Sequence, residues 1–377
     1  MANSRDVLLK LVRMAMGWEM DFSLPEDIDW QEVLAIAQEQ GVDAIVVDGL
    51  DAFMIKQSQK LSTLNSEEFK QVLFEAIGDQ QIIEYNYSCH LEVLKKLSEI
   101  FGKKDIPFIV MKGFACGQYY PNPKHRFCGD IDIYPGNHFD ESNEALKEAG
   151  INVDPYYYRH SASIINGVMV ENHKVLGDLR GPRRQTKDFE IKLKEEANKS
   201  LLTGKNIVVG GHVIACAKYP LANFNALFLP WHVSAHFAFE RVTLRQLLDW
   251  ALFLTHDGRY IDVKSFREAK RINTFGYSKM ADILTNLALR YLKIPSENIP
   301  SEIIEDALEI NMELADKVFD YFFDGRLKDG ASRLWKSRLN NISRVWTERW
   351  KYREIYNVSV MAFLYYKVKG VIFNVVD

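Results

Sequence analysis

Two aspartates stand one residue apart in Gly129-Asp130-Ile131-Asp132-Ile133-Tyr134, and sixteen residues separate them from Lys112-Gly113, which follows the apolar run Phe108-Ile-Val-Met. In an extended strand, alternate side chains share a face. Asp130 and Asp132 would therefore project together while Ile131 and Ile133 enter a core. Carboxylates this close repel one another. A divalent cation relieves the conflict, and Mg²⁺ is typically held by one or two carboxylates together with substrate phosphates. A lysine and a turn glycine upstream offer what a triphosphate needs on its other side. The chemistry expected of this stretch is metal-assisted handling of a nucleotide.

Turn chemistry supplies a third carboxylate. Asn166-Gly167 lies between the β-rich runs Ser161–Ile165 and Val168–His173. Asn-Gly there signals a hairpin, because a type I′ turn needs positive φ at both central positions. Ile165 then faces Val168, Ala162 faces Glu171, and His160 faces His173. The period of two collects His160, Ala162, Ile164, Met169, Glu171 and His173 on one face, with Glu171 and both histidines at the end away from the turn. Glu171 would complete a site for two Mg²⁺ ions, with Mn²⁺ as a substitute. One ion activates an attacking hydroxyl and the other clamps the leaving phosphates. Asp130, Asp132 and Glu171 are the expected metal ligands and catalytic residues.

Lys112, Gly113 and Arg126 are the expected nucleotide-binding residues. Gly113, before a short helix over Phe114–Tyr120, would let backbone N–H groups approach phosphate. Arg126 either binds phosphate bidentately or ties down the loop at Pro121-Asn-Pro123. His160 and His173 either orient Glu171, contact the acceptor or are satisfied structural histidines, and His236 is a further residue for the acceptor or for support of the ligands. His232 and His236 have the i, i+4 spacing of a zinc pair, but the glutamate of the metalloprotease motif is missing, since Val233 follows His232. Arg245 and Asp249 share that spacing and read as a helix ion pair. Tyr156-Tyr157-Tyr158 reads as filler of an edge strand.

These residues need a scaffold, and its texture changes twice along the chain. Residues 1–100 read as helical, with Val7, Leu8, Leu11, Met14 and Ala15 on one face and Asp29 and Glu32 placed for a capping box. Residues 101–216 read as a domain of short strands and turns that carries the candidate site, ending in a strand pair around Gly210-Gly211. The basic run from Leu176 to Lys194, with Arg180, Arg183, Arg184 and Lys187, reads as a solvated loop. Residues 217–377 read as a helical domain with helices at Leu227–Ala238, Thr243–Leu254 and near 263–271, 277–292, 301–324 and 330–356. In the last of these, Trp335, Leu339, Ile342, Trp346 and Trp350 form a stripe among basic residues, which reads as a face packed on its own domain.

Composition narrows the function classes. Of 377 residues, 47% are hydrophobic and the net charge is −4. Such a chain buries a real core and lacks the basic surface that phosphate-backbone binding requires, so no long nucleic acid is expected. Cys89, Cys116, Cys128 and Cys216 form no CxxC pair, which argues against a disulfide framework or a zinc site. No apolar run is long enough for a transmembrane segment, and the N-terminus lacks a signal-peptide pattern. A cytoplasmic location is expected.

Taken together, Lys112-Gly113, Tyr120-Pro121-x-Pro123-x-x-Arg126-x-x-Gly129-Asp130-Ile-Asp132, His160 and Val170-Glu171-x-His173 resemble the uncharacterised nucleotidyltransferase family of the DNA polymerase β superfamily. The helices with His232, His236 and Arg245-x-Leu247-Leu248-Asp249 resemble its C-terminal half. The resemblance implies an α+β fold, a small mixed sheet with flanking helices, plus N-terminal and C-terminal helical regions. It also implies Mg²⁺ on Asp130, Asp132 and Glu171, and transfer of a nucleoside monophosphate from an NTP to a hydroxyl acceptor. The acceptor would be a small molecule, with a sugar- or polysaccharide-related compound in view. Lys112-Gly113 stands where most of the superfamily has Gly-Ser, and Glu171 where an aspartate is commoner. Two other readings of the same residues are a glycosyltransferase using Asp130-x-Asp132 to hold a metal–sugar nucleotide, and a non-catalytic nucleotide- or partner-binding protein. The helical first hundred residues disfavour the glycosyltransferase, whose fold alternates strands and helices before its DxD.

Overall fold

The computed structural model describes residues 3–56, 67–154, 159–177, 183–272, 276–324, 346–362 and 364–365. Tyr156–Tyr158, Arg180 and most of the tryptophan stripe (Trp335, Leu339 and Ile342) lie outside these residues.

Helices come first: α1 (Ser4–Ala15), α2 (Trp30–Gln40), α3 (Asp43–Lys56) and the long α4 (Glu67–Gly102). Asp29 caps α2 by accepting from the Glu32 amide at 2.9 Å, but the expected box is half made, because the Glu32 carboxylate takes the Ser4 hydroxyl instead. The strands β1 (Phe108–Met111) and β2 (Asp130–Tyr134) flank the four-residue helix α5 (Gly113–Cys116). After α6 (Phe139–Glu148) comes the hairpin β3 (His160–Ile165) and β4 (Val168–His173). The run read as a basic loop is largely helix α7 (Arg183–Thr203). Alternating charges within it, such as Lys194 with Glu190 at 3.3 Å, support the helix through i, i+4 pairing that a loop could not use. β5 (Asn206–Val209) and β6 (His212–Lys218) close the sheet, in the order β3-β4-β2-β1-β6-β5. The fold is α+β, with a mixed six-stranded sheet and flanking helices.

The two faces of the sheet differ because strand side chains alternate. Phe108, Val110, Ile131, Ile133, Val168 and Val170 pack one way, against Val93, Leu94, Leu97 and Phe101 of α4 and Leu146 of α6. Ile109, Met111 and Tyr134 point the other way and join a second core with the C-terminal helices. Asp130, Asp132, Glu171 and His173 share that second side.

The C-terminal half comprises α8 (Ala222–Phe239), α9 (Leu244–Asp257), α10 (Val263–Ile272), α11 (Tyr277–Leu287, running on as a π turn), α12 (Ser301–Leu308), α13 (Met312–Phe322) and α14 (Arg349–Glu354). The single helix expected over 301–324 is broken, with Asn311 capping α13 by accepting from the Leu314 amide at 3.0 Å. Helix α8 contains Pro230, which lacks the N–H that would bond the Ala226 carbonyl. That carbonyl accepts from the Tyr277 hydroxyl at 3.2 Å instead. Trp350 packs edge-on to Phe237 and Tyr321, while Trp346 is exposed. Among the described residues no helix is long and apolar enough to cross a membrane.

The hairpin register is the one expected, with Ile165 opposite Val168, Ala162 opposite Glu171 and His160 opposite His173. Asn166 and Gly167 have φ of 50° and 82°. Because a side chain at positive φ costs roughly 1–2 kcal/mol, Gly167→Val should lower stability by about that amount in urea unfolding. It should also loosen the strand that carries Glu171.

Candidate metal and nucleotide site

The pairing of β2 with β4 joins the two halves of the candidate site. These strands run parallel, with Asp130 level with Met169 and Asp132 level with Glu171. Sequence showed the aspartate strand and the hairpin separately. Their adjacency comes from the sheet. One carboxylate oxygen from each of Asp130, Asp132 and Glu171 lies within 4.8 Å of the others. All the donors in this group are oxygen, which suits Mg²⁺ or Mn²⁺. Glu171 also belongs to a second group with His160 and His173, but the Nε2 of His173 is already bonded to Asp132.

The carboxylates differ in electrostatics. Asp132 has 2% of its surface exposed and accepts from Lys112 Nζ and His173 Nε2, each at 2.8 Å. Burial alone would raise its pKa, but the Lys112 charge and the His173 hydrogen bond outweigh it and hold the carboxyl well below its usual range. Asp130 is raised instead, first by the charge of Asp132 and then by burial. A repelled carboxylate beside an anchored one is the imbalance a cation would remove. Glu171 lies 3.4 Å from His173 Nε2 and 3.5 Å from His160 Nε2. Burial raises its pKa, and the His173 hydrogen bond, with the charge of His160, brings it lower overall. His173 Nδ1 is buried with no hydrogen-bond partner among the described residues, and its ring faces the carboxylates through Nε2. It orients Asp132 and Glu171.

Lys112 reaches the cleft from a strained backbone, with φ 49° and ψ −136°. A Cβ at Gly113 would come within 2.7 Å of the Cys128 sulfur, a packing reason for glycine there besides phosphate approach. Burial pushes the Cys128 thiol up to about 11, in keeping with a packing role.

Arg126 is held by Asp249, a partner that neither of its two expected roles named. Its Nε and Nη2 donate to Asp249 at 3.1 and 2.5 Å, and Nη1 donates to the Phe127 carbonyl at 2.7 Å. The Tyr120 hydroxyl donates to the same aspartate at 2.7 Å. Asp249 therefore pairs with Arg126 across the fold, and the i, i+4 pair expected with Arg245 is not made. Helical spacing brought Arg245 within reach, but bidentate geometry and a dry environment favour Arg126.

A cavity of about 370 Å³ connects these groups with α8 and α9. Its lining includes Asp130, Asp132, Glu171, Lys112, His160 and His173. Trp231, His232 and His236 of α8, together with Arg159 and Arg245, also line it. His232 and His236 face each other, Nε2 to Nε2 at 3.2 Å, and His236 Nδ1 bonds Glu240 at 2.6 Å. Burial, and after it the charge of Lys112, holds the pKa of His232 well below the usual imidazole range. Sequence reasoning missed Arg159 and Trp231 as cleft residues. The position of Arg159 directly before the His160 strand was the available signal.

Asp249→Ala should cost about 3–5 kcal/mol by leaving the Arg126 charge buried and unpaired. The apolar double variant Arg126→Met, Asp249→Leu should recover most of that loss in chemical denaturation. If Arg126 served phosphate instead, its replacement would weaken NTP binding and leave the unfolding midpoint in place.

No curated protein and no solved structure matches the chain. A family model described as uncharacterised nucleotidyltransferase matches residues 26–293, a span that holds every residue of the cleft and more than two thirds of the chain. The chain thus belongs to the uncharacterised nucleotidyltransferase family.

Proposed function

We propose that the protein transfers a nucleoside monophosphate from an NTP to a hydroxyl acceptor, with Asp130, Asp132 and Glu171 holding two Mg²⁺ ions. The observation that carries this reading is the convergence of three carboxylates from two parallel strands within 4.8 Å, in a chain of a nucleotidyltransferase family. Divalent cations bound there would neutralise phosphate charge and make the acceptor hydroxyl a better nucleophile at neutral pH. The acceptor oxygen bonds the α-phosphorus, the bond to the β-phosphate bridge breaks, and pyrophosphate leaves with that electron pair. The hydroxyl proton passes to solvent or to a basic group of the cleft.

The protein's own residues bind and orient. His173 holds Asp132 and Glu171 in register, so the ligand set is prepared before substrate arrives. Lys112, 2.8 Å from Asp132, could turn from carboxylate to phosphate if bound cations offset the charge of Asp132. In that position it stabilises the developing charge on pyrophosphate. The acceptor reaches the ligand set from the side lined by α8, where His160 and His236 face the cavity. A sugar- or polysaccharide-related hydroxyl compound is the acceptor class in view.

Asp130→Asn and Glu171→Gln should each reduce pyrophosphate release from labelled NTPs by at least about 100-fold. Both should also abolish Mn²⁺ binding followed by electron paramagnetic resonance. Unchanged metal–nucleotide binding in Asp130→Asn would sink the reading.

The raised pKa of Asp130 adds a signed pH prediction. A carboxyl whose folded pKa lies above its unfolded value favours the fold when protonated and loses that contribution as pH rises through the folded value. At neutral pH, Asp130→Asn should therefore raise the melting temperature of the metal-free protein even as it removes metal binding. Mn²⁺ affinity of the native protein should fall on acidification at a higher pH than an isolated aspartate would dictate.

A further inference from the structure

Two arginines line the cleft and make no ion-pair contact with a carboxylate among the described residues, although Asp43 and Asp249 lie near enough to Arg245 to act on it through charge. Arg159, directly before β3, has its guanidinium carbon 5.7 Å from the Trp231 ring centre, and Arg245, in the first turn of α9, has its own 5.1 Å from that of Phe127. The Nε of each is buried with no hydrogen-bond partner. Asp249, one turn beyond Arg245, is committed to Arg126 and Tyr120. Both side chains are half-buried, with part of each guanidinium open to the cleft. Stacked on an aromatic ring, a guanidinium presents a preformed fork to phosphate or carboxylate.

The two arginines flank the metal-binding carboxylates. Phe127, under Arg245, lies three residues ahead of Asp130, at the entry to β2. Arg159 lies past the opposite limit, where its carbonyl accepts from the Lys174 and Val175 amides at 2.7 and 3.0 Å, just beyond His173. From Met169, level with Asp130, to His173 is four residue steps along β4, about 13 Å at the rise of a strand. Phe127 and Arg159 stand outside either end of that stretch. In an in-line displacement the nucleophile and the leaving pyrophosphate occupy opposite sides of the α-phosphorus. With pyrophosphate on the Lys112 and Arg245 side, the acceptor enters past Arg159, Trp231 and His232. The carboxylate at that end, Glu240, is bonded to His236.

We infer that the acceptor is an anion, a hydroxyl compound bearing a phosphate or carboxylate that Arg159 holds, while Arg245 holds the pyrophosphate end of the NTP. This assignment rests on the nucleotidyl-transfer reading. The test uses the full chain saturated with Mg²⁺ and an α,β-methylene NTP, titrated calorimetrically with glucose 1-phosphate, glucuronate and glucose. At least one of the two anionic sugars should bind about 10–100-fold more tightly than glucose, as one charged hydrogen-bonded contact allows. Whichever anion binds better identifies phosphate or carboxylate as the recognised group.

Arg159→Gln should erase the preference and leave affinity for the NTP analogue unchanged, whereas Arg245→Gln should weaken the analogue and keep the preference. Arg159→Lys, which retains charge without the fork, should reduce the preference partially and serves if the glutamine variant does not fold. Equal behaviour of the three sugars, or a preference that survives both changes at Arg159, overturns the inference. Failure of the native protein to bind the Mg²⁺–NTP analogue at all would instead overturn the transferase reading beneath it.

Discussion

The repulsion among Asp130, Asp132 and Glu171 is the constraint around which the rest of the molecule is arranged. Parallel pairing of β2 and β4 puts Asp132 level with Glu171, and the period of two puts Asp130 on the same side. Separation would relieve the charge, but the same strands bury Ile131, Ile133, Val168 and Val170 on their other face. A slip by one residue would expose those side chains, so the apolar face holds the acidic face in place. Lys112 and His173 neutralise part of the charge at Asp132 and leave Asp130 without comparable support. The unsupported part is the charge that a bound cation would offset.

The helices around the sheet anchor the segment that leads into the aspartates. Tyr120 and Arg126, from the segment between β1 and β2, converge on Asp249 of α9 and tie the approach to the aspartates to the C-terminal half. His125, in the same segment, bonds Asp48 of α3 at 2.7 Å and Glu84 of α4 at 3.0 Å, tying it to the N-terminal helices as well. One short connection is thus anchored to both flanking regions. A movement of either region would be felt at Asp130, four residues after Arg126.

The cleft is divided by charge along the strand direction. Its middle is acidic, and an arginine stacked on an aromatic ring stands at each end. Such a pattern matches a metal–polyphosphate complex better than a neutral ligand, because both the bound cations and the flanking guanidiniums would attract anions. The overall charge of −4 conceals this local pattern. Net charge describes long-range attraction to a polyanion, whereas the cleft is organised over a few side chains.

Much of the site could be read from the chain alone, because strand alternation and the Asn-Gly turn are local rules. Asp130 and Asp132 on one face, the hairpin register to the residue, and Glu171 with two histidines at its open end all follow from neighbours in sequence. The helical regions on either side were likewise legible from apolar periodicity. The sequence did not reveal that β4 lies beside β2, since strand order depends on which apolar faces are covered in three dimensions. Nor could it decide the partner of Asp249. Spacing favoured Arg245, but the fold brings Arg126 into bidentate contact and leaves Arg245 to the cleft. Helix α7 was hidden for a related reason, because its charged residues look like loop until tertiary packing buries Phe189, Leu193 and Ala197. Local geometry put the carboxylates on one face, and only long-range packing decided which charges are already neutralised within the fold and which are not.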